Sequence, residues 1–472
     1  MNMEPIKKDI LEYLNEYATD SPDEVFLYNE EYGYTTAELL ETVLQVSDRL
    51  FAGGVCLGSA VGLSGTRTIE AIILFLAIQK LGAVAIMCDP RETTEQYLKN
   101  SGTLLKIGHG IDFIDGEWYF DGVRFPISKC VPAPRKYVHC AGSVDSPAFV
   151  IFTSGSTGQT KGVVLSQYNY INHMRNFHAV GGNEPGDSAI QMLPIFHIFG
   201  MTQIIDGIVH RCPLFFPREI TPEYVCECIE KYGFTRFGFV PSFALKMAEA
   251  KLKNGYNTAS LKVAVLAGAP STREQFNFIE ETLTMKIVPV YGMSELPGIS
   301  GAAPEEAADD RAGSVGKILP MTEVKIEDDG EITVKGPALF LGYVGEAPVD
   351  RNAFFPTGDL GYLDEKGFLH ITGRKKDIII RNGNNISSRA IEQKLLSLPF
   401  IANAAVVGVT DPDCGEVPVA MVVLRAGNPY DRAAVAAVLN KPEMPREIRV
   451  AEDLPLNAAG KIDKQKIKEM FS

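Results

Sequence analysis

The sequence predicts an α/β protein: a large N-terminal domain of doubly wound sheets with a β-rich subdomain, and a small C-terminal α/β domain. Three observations support this fold class. Strand and helix patterns alternate from residue 61 to residue 266. Beyond about residue 319 they give way to short alternating strands. The length of 472 residues fits about three units at roughly 150 residues each.

The first sheet is predicted after a helix over residues 36–52, which has apolar positions at helical spacing and begins weakly at Thr36. The elements that follow are a strand at 61–63, a helix at 68–81 and a strand at 83–87. Repeated strand–helix–strand units imply a parallel sheet that is covered on both faces. The less regular stretch from 104 to 134, which contains short strand-like pieces such as WYFDGVRF, is interpreted as connecting structure.

The second sheet is predicted from the same alternation after residue 166. Its predicted helices cover 168–179, 222–232 and 243–253, with another after Phe199, and its strands cover 189–193, 214–216, 236–240 and 262–266. Ligands of such sheets bind beyond the carboxyl ends of the strands. The glycine-rich and polar motifs fall at those ends, so we expect the functional site there.

The C-terminal part of the sequence predicts a separate domain. The segment EVKIEDDGEITVKG alternates apolar and polar residues around Asp329-Gly330, which is a hairpin turn signal. From about Lys376 we expect a small α/β unit with helices at 388–396 and 432–439 and strands at DIIIR, 404–409 and 417–424. The predicted domains are residues 1–375 and 376–472.

Composition and charge exclude several functional classes. The chain has 45 basic and 59 acidic residues, and its formal charge of −14 disfavours a broad nucleic-acid or anionic-membrane surface. The charged N-terminus, and Gln79, Lys80 and Gly82 within the most apolar window, predict a cytoplasmic protein without a membrane span. The eight cysteines lack zinc-binding spacing and are expected to be reduced thiols.

A run of hydroxyl and glycine residues interrupts a predicted buried strand in the segment VIFTSGSTGQTKGVVLS, which begins at Val150. Glycines let backbone N–H groups turn inward, hydroxyls add donors, and Lys161 adds a positive charge, so this segment can hold a polyphosphate. It is not a Walker A loop, because that motif needs glycine where Thr160 stands. A Gly/Ser linker is the alternative, but apolar strands flank the run on both sides.

The segment TSGSTGQTKG resembles the nucleotide loop of the adenylate-forming superfamily of AMP-binding enzymes, and the chain is most similar to acyl-CoA synthetases. The resemblance covers nearly the whole chain, with the motifs in the order of the family. The implied ATP-binding residues of this loop are Thr153, Ser154, Gly155, Ser156, Thr157, Gly158 and Lys161. Thr160 replaces the usual proline of the family, which should affect the stiffness of the loop more than its chemistry.

Two motifs follow: the resemblance assigns the first to the acyl group, and the small residues of the second suit a flat ring such as the base. In LPIFHIFG, it places His197 close to the carboxylate that is activated, although a lone histidine among apolar residues is more often a core side chain. In LAGAP, small residues let a flat ring approach the backbone, although a tight strand-to-helix turn has the same composition. The nucleotide-binding residues implied there are Gly268, Ala269 and Pro270.

The motif VYGMSE is assigned to ATP and to the metal ion. The resemblance implies that Tyr291, next to Gly292, packs on adenine and that Ser294 contacts the α-phosphate. Glu295, together with Thr153, is expected to hold Mg²⁺, which commonly binds through one or two carboxylates and phosphate oxygens.

The remaining motifs lie towards the C-terminus. In TGDLG, Asp359 matches the family's acceptor for the ribose hydroxyls, and Arg374 is assigned to ribose or phosphate contacts. The resemblance places the hinge of a mobile lid domain at Lys376 and a loop that lines the thiol tunnel at Gly383. Lys461 in LNAAGKIDK matches the catalytic lysine, whose ammonium can neutralise both the attacking carboxylate and the α-phosphate.

The resemblance therefore implies an ATP-dependent acyl-CoA synthetase that uses ATP, Mg²⁺ and CoA. The enzyme would activate a fatty or aryl acid as acyl-AMP, release pyrophosphate and transfer the acyl group to CoA. No aspartate accompanies His197 in the sequence, and the segments expected to line the acyl pocket, 196–201 and 237–243, are mostly apolar. Both observations favour an uncharged acyl chain over an amino acid. The alternatives are an adenylation enzyme that loads a carrier-protein phosphopantetheine and a nucleotide-binding sensor without catalysis.

Overall fold

The computed structural model describes residues 3–103, 105–132, 138–154, 160–269, 271–425, 427–456 and 462–471. The chain forms two compact units. The first comprises Met1–Val324 and Val334–Phe354, and the second comprises Lys325–Thr333 and Phe355–Ser472. The predicted division at 375/376 concerned the hinge of a moving domain, and it stays a prediction.

The helices are, in chain order, α1 (Ile10–Asp20), α2 (Thr36–Ala52), α3 (Ile69–Lys80), α4 (Thr94–Asn100), α5 (Gln167–Gly181), α6 (Ile198–Val209), α7 (Pro222–Tyr232), α8 (Pro241–Asn254), α9 (Arg273–Leu283), α10 (Ala308–Gly313), α11 (Ser388–Leu396), α12 (Arg432–Val438) and α13 (Lys464–Met470). The strands are β1 (Val25–Tyr28), β2 (Gly33–Thr35), β3 (Ala60–Ser64), β4 (Val84–Cys88), β5 (His109–Ile114), β6 (Glu117–Phe120), β7 (Val123–Arg124), β8 (Pro147–Ser154), β9 (Thr160–Ser166), β10 (Ala189–Ile190), β11 (Leu214–Phe215), β12 (Arg236–Phe239), β13 (Val263–Leu266), β14 (Lys286–Met293), β15 (Leu296–Gly301), β16 (Lys317–Ile318), β17 (Glu323–Ile326), β18 (Glu331–Lys335), β19 (Gly342–Tyr343), β20 (Phe355–Leu363), β21 (Leu369–Arg374), β22 (Ile378–Arg381), β23 (Asn384–Ser387), β24 (Ile401–Asp411), β25 (Gly415–Leu424) and β26 (Ile448–Ala451).

The first sheet of the first unit has the strand order β19-β9-β8-β4-β3-β5-β6-β7. Strands β8, β4, β3 and β5 are parallel neighbours, and β9 and β6 pair antiparallel at either side of them. The interpretation of 104–134 as connecting structure is wrong for β5 to β7, which extend this sheet. Ile111 and Trp118 are buried there, because alternate residues of these short strands face the core.

The second sheet of the first unit has the order β16-β15-β14-β13-β12-β10-β11-β1-β2. The strands from β14 to β1 in that order are parallel, as the alternating pattern predicted. One face packs on a core that includes Phe215, Phe234, Phe237, Phe239 and Phe276. Burying aromatic side chains of this size provides much of the stabilisation of such a sheet.

Helix α2 covers the predicted residues 36–52, but its N-cap differs from the prediction. The N-cap is Thr35, whose hydroxyl accepts the Glu38 N–H while the Glu38 carboxylate accepts the Thr35 N–H. This capping box makes a strong start, where a weak one at Thr36 was predicted. The prediction failed because it placed the cap one residue too late.

The second unit contains two sheets. One has the order β17-β18-β20-β21, and the other has the order β23-β22-β25-β24, with β26 beside β25. Helix α11 packs on the second sheet over a core that includes Ile391, Leu395 and Val406. The predicted helix at 388–396 is confirmed. No helix within the described ranges has the length and apolar character needed to cross a bilayer.

Candidate functional site

The sequence motifs of the first unit lie beyond the carboxyl ends of neighbouring parallel strands. The segment 193–200 follows β10, residues 267–269 follow β13, and 291–295 lie at the end of β14. Strands β10, β12, β13 and β14 are adjacent in this order in one sheet. The fold therefore brings motifs that are about 100 residues apart to one edge, as expected for a doubly wound sheet.

The predicted phosphate loop connects β8 and β9, which form an antiparallel hairpin, called the phosphate hairpin below. Thr153 pairs with Lys161, and the backbone of Ser154 pairs with Thr160. The loop residues Gly155, Ser156, Thr157 and Gly158 lie outside the described residues. The register places Thr153 and Lys161 at matching positions on the two strands, where they flank the loop.

Lys161 contacts two side chains that the sequence did not single out. Its Nζ lies 3.0 Å from Glu346 Oε1 and 4.3 Å from the centre of the Tyr343 ring. Both partners are on or just after β19, which pairs with β9. The ion pair is partly exposed and therefore weak, so phosphate oxygens could replace Glu346 as partners of the ammonium.

Glu295, the predicted metal ligand, is nearly buried, with 8% of its surface exposed. The Tyr343 hydroxyl donates to Glu295 Oε1 at 2.6 Å, and the Phe340 N–H donates to the Glu295 carbonyl at 2.8 Å. Burial and the neighbouring Glu295 charge raise the pKa of Tyr343 well above its ordinary value, so the phenol stays protonated and donates.

The side chains of Glu295 and Thr153 fit a Mg²⁺ ion that is bound together with a nucleotide. Within the part of the chain that the structure describes, no group of three or more His, Cys, Asp or Glu side chains could hold a metal ion. A single buried carboxylate near a cationic phosphate hairpin suits an ion that takes its other ligands from phosphate oxygens and water. Glu295 and Thr153 would hold it.

The other residues of the motifs VYGMSE and LAGAP lie in the β14–β15 hairpin and directly after β13. Tyr291 pairs with Ser300 in the β14–β15 hairpin, and Ser294 lies half-buried in the turn between these strands. Gly292 has no room for a side chain, because a Cβ would lie 2.0 Å from the Pro297 carbonyl oxygen. Gly268 has a φ of +87° and is exposed together with Ala269, whereas Pro270 lies outside the described residues.

His197 is the N-cap residue of α6, and its ring lies 4.4 Å from that of Phe196. An aspartate that the sequence did not predict, Asp89, lies after β4 within electrostatic range of His197. Burial opposes ionisation of Asp89, but hydrogen bonds from Arg91 outweigh it and hold the pKa of the carboxyl below its ordinary value. The charge of Asp89 is therefore already balanced by a guanidinium.

The predicted acyl pocket included residues 237–243, and the structure corrects part of this. Phe237 and Phe239 point into the hydrophobic core, with ring centroids 4.9 Å apart. Gly238 faces the opposite side, where an added Cβ would lie 3.2 Å from both Leu193 Cδ1 and Phe199 Cζ. Successive side chains of a strand point to opposite faces, so the glycine borders the LPIFHIFG segment and the phenylalanines do not.

In the second unit, the structure brings together two predicted nucleotide-binding residues. Asp359 pairs with Arg374 across the β20–β21 hairpin, and Arg374 Nε lies 2.9 Å from Asp359 Oδ1. The Asp359 side chain is 8% exposed, whereas that of Arg374 is 58% exposed. The carboxylate is thus held in a defined position by a cation that reaches into solvent.

The predicted hinge and thiol-tunnel residues lie close together in the second unit. Lys376 is exposed in a short 3₁₀ turn, Lys375–Asp377, between β21 and β22. Gly383 and Asn382 form the two-residue connection of the β22–β23 hairpin, with φ values of +76° and +51°. Positive φ at both central residues is typical of a type I′ hairpin turn, which explains the Asn-Gly sequence.

Lys461 lies outside the described residues, but the chain on either side of it is defined. Leu456 and Ile462 form an antiparallel bridge, and the Asp463 N–H donates to the Pro455 carbonyl at 2.8 Å. Lys464 Nζ then lies 2.9 Å from Glu392 Oε1 and 3.5 Å from Asp377 Oδ2. These contacts fix the end of the Lys461 segment to α11 and to the 3₁₀ turn that contains Lys376.

Sequence reasoning did not find Tyr343, Glu346 or Asp89. Asp89 comes two residues after the strand predicted at 83–87, and that position could have drawn attention to it. Tyr343 and Glu346 lie in FLGYVGE, where nothing local distinguishes them from ordinary strand and turn residues.

Comparison with known proteins agrees with this arrangement. Residues 14–101 and 114–344 match the family described as AMP-binding enzyme, and residues 390–461 match its C-terminal domain. A 2-succinylbenzoate–CoA ligase of Listeria monocytogenes serotype 4b (strain F2365) is 31% identical over 96% of this chain and 97% of that protein.

Two solved structures of the o-succinylbenzoate CoA synthetase MenE from Bacillus subtilis are also similar. One, in complex with the acyl-adenylate intermediate OSB-AMP, has a TM-score of 0.80 at 25% identity and covers 99% of each chain. The other, in complex with ATP and a magnesium ion, has a TM-score of 0.81 at 25% identity and covers 97% of this chain and 99% of that one.

The matches extend over both units, and the predicted α/β fold and ligase class are confirmed. Adenylate-forming CoA ligases use ATP, Mg²⁺ and CoA, which is the set predicted from the sequence. The chain therefore belongs to the AMP-binding enzyme family, and it is an AMP-forming acid–CoA ligase of the adenylate-forming superfamily.

Proposed function

We propose that this ligase converts 2-succinylbenzoate, or an aromatic acid very similar to it, into its CoA thioester at the expense of ATP. The observation that carries the ATP chemistry is the chain of contacts Lys161–Tyr343–Glu295, which joins the phosphate hairpin to the expected metal ligand. The acyl substrate is supported by the relatives, which are named for it and align over nearly their whole length.

In the first half-reaction, a carboxylate oxygen of the acid attacks the α-phosphorus of ATP, the bond to the β-phosphate oxygen breaks, and pyrophosphate leaves. Glu295 and Thr153 would hold Mg²⁺, which would neutralise the charge that builds on the phosphate oxygens. The ammonium of Lys161 and the loop between β8 and β9 would bind the departing pyrophosphate. Lys461 would stabilise the attacking carboxylate and the α-phosphate, and His197 would orient the acid.

The acyl pocket would be bordered by the LPIFHIFG segment, which packs against the backbone of β12 at Gly238. An added Cβ there would lie 3.2 Å from both Leu193 Cδ1 and Phe199 Cζ, so the glycine allows this close approach. The name 2-succinylbenzoate denotes an aromatic acid with a second carboxylate, which differs from the uncharged chain expected from the sequence. The two expectations are separated by testing both classes of acid.

In the second half-reaction, the thiol of CoA attacks the acyl-adenylate, and AMP leaves. The lid rotation about Lys376 and the role of the loop around Gly383 are part of this proposal. The Asn382-Gly383 hairpin supports it, because a tight turn with a small tip allows a slender pantetheine arm to pass closely.

The predicted cytoplasmic location also stays a prediction.

The test is a pyrophosphate-release assay over a panel of acids, with and without CoA. The panel contains 2-succinylbenzoate, benzoate, a medium-chain fatty acid and phenylalanine. We expect 2-succinylbenzoate to give the highest kcat/KM and a thioester only when CoA is present. A higher kcat/KM with the fatty acid would overturn the substrate assignment and favour the uncharged chain.

Two alternatives are outcomes of the same assay. A phosphopantetheinylated carrier protein that is used about a hundredfold better than CoA would favour carrier loading, a difference of about 2.7 kcal/mol. A nucleotide-binding sensor would release no pyrophosphate with any acid while still binding ATP.

A further inference from the structure

We propose that Tyr343 is a positioning residue that holds the carboxylate of Glu295 ready for the metal ion and couples it to the phosphate hairpin. This inference rests on the proposed function, in which Glu295 holds Mg²⁺. It assigns a role to a residue outside every motif that the sequence analysis singled out.

The first argument is the way in which Glu295 is held. Segment 340–343 fixes this residue at two points, because the Phe340 N–H binds its carbonyl at 2.8 Å and the Tyr343 hydroxyl binds Oε1 at 2.6 Å. A carboxylate has two oxygens and several lone pairs, so one hydrogen bond to Oε1 leaves acceptor capacity for a cation. Partners that orient a ligating carboxylate in this way typically tune metal affinity.

The second argument is that Tyr343 is itself rigid. It belongs to β19, where it pairs with Val163 of β9, and its ring packs edge-on against Phe340 with centroids 4.9 Å apart. The ammonium of Lys161 also lies over this ring, 4.3 Å from its centre. Because β9 carries Lys161 and β19 is hydrogen-bonded to β9, the hydroxyl transmits the position of the phosphate hairpin to Glu295.

The third argument concerns topology. Glu295 follows the end of β14 in the second sheet, whereas Tyr343 and Lys161 belong to the first sheet. The hydrogen bond therefore spans the gap between the carboxyl edges of two sheets. A metal ion held by Glu295 and by a phosphate chain on the hairpin needs these edges at a fixed separation, and Tyr343 provides a direct link between them.

The test compares Tyr343→Phe with the wild-type enzyme by Mn²⁺ binding, which electron paramagnetic resonance measures directly. Mn²⁺ replaces Mg²⁺, and α,β-methylene-ATP replaces ATP so that no reaction occurs. The variant keeps the ring, its packing on Phe340 and its contact with Lys161, and loses only the hydroxyl. We expect Mn²⁺ to bind roughly tenfold to hundredfold more weakly, with binding of the analogue in EDTA changed by less than about threefold.

Tyr224→Phe is a matched control, because the Tyr224 hydroxyl also donates to a carboxylate, Glu30, at 2.6 Å. We expect its Mn²⁺ affinity to equal that of the wild type. Tyr343 replaced by 3-fluorotyrosine, which keeps the hydroxyl, should restore the affinity. Equal losses in Tyr343→Phe and Tyr224→Phe would overturn the inference, as would unchanged Mn²⁺ binding in Tyr343→Phe.

Glu295→Gln separates this inference from the function on which it rests. If Glu295→Gln weakens Mn²⁺ binding and Tyr343→Phe does not, the positioning role is wrong and the metal assignment stands. If Glu295→Gln itself leaves Mn²⁺ binding unchanged, the metal assignment is wrong and the inference fails with it. A Tyr343→Phe protein that does not fold without ligands would also overturn the inference, because the bond would then serve the stability of the fold.

Discussion

Replacing Asp359 with asparagine should weaken ATP binding about thirtyfold while leaving the fold intact. From the TGDLG motif we expect the Asp359 carboxylate to accept hydrogen bonds from both ribose hydroxyls. A hydrogen bond to a charged group contributes about 1 kcal/mol more than one between neutral groups. Two such bonds that lose their charge therefore cost about 2 kcal/mol, which is roughly a thirtyfold change in the dissociation constant.

The effect on stability should be small. Asparagine has the same shape as aspartate and keeps an oxygen that can accept the Arg374 Nε–H. The guanidinium is 58% exposed, so water compensates for most of the lost charge interaction. Pairs of this exposed kind typically contribute about 0–1 kcal/mol to stability. The variant should therefore melt within a few degrees of the wild type, at roughly 2–4 °C per kcal/mol.

The assay is isothermal titration calorimetry with ATP and with 2′,3′-dideoxyATP. The dideoxy nucleotide lacks both hydroxyls, so wild type and Asp359→Asn should bind it with equal affinity. Asp364→Asn is the matched control, because Asp364 accepts hydrogen bonds at the far end of the same hairpin. A thirtyfold difference that persists with the dideoxy nucleotide would show that the loss is structural and would refute the ribose assignment.

Three further predictions address catalysis, motion and pH. Lys461→Ala should abolish adenylation but leave thioester formation from supplied acyl-adenylate largely intact, and equal loss of both half-reactions would count against this. Lys376→Pro should leave adenylation intact and slow thioester formation, because proline fixes φ near −65°; wild-type rates in both assays would place the hinge elsewhere. Burial lowers the pKa of His173 to about 4, below the unfolded value near 6.5, so stability is complete above pH 6.5 and falls by about 3 kcal/mol as the pH approaches 4. In His173→Leu, the loss of unfolding free energy between pH 6.5 and pH 4 should shrink by this amount. If the variant lost as much stability as the wild type over this range, groups other than His173 would be responsible for the loss.

The sequence by itself determined the fold class, the order of the elements and the enzyme class. The limits of α2 and α11 were predicted correctly, because helical spacing and end signals are local properties of 10–20 residues. The motifs were found in the same way, since glycine, hydroxyl and carboxylate residues after apolar strands are visible along the chain. Even the correction to the start of α2 concerned a local signal that was placed one residue too late.

The tertiary structure decided which of these residues meet. Asp359 and Arg374 are 15 positions apart, and only the β20–β21 register shows that they form a pair. Phe237 and Phe239 were expected in the pocket, but the direction of the strand turns them into the core and leaves Gly238 facing Leu193 and Phe199. Tyr343 reaches Glu295 because β19 adds to the edge of the first sheet, a pairing between distant segments. Sequence patterns report burial and periodicity, whereas the choice of neighbouring strands depends on how whole sheets pack. That packing places the hydroxyl of Tyr343 within hydrogen-bonding distance of the Glu295 carboxylate.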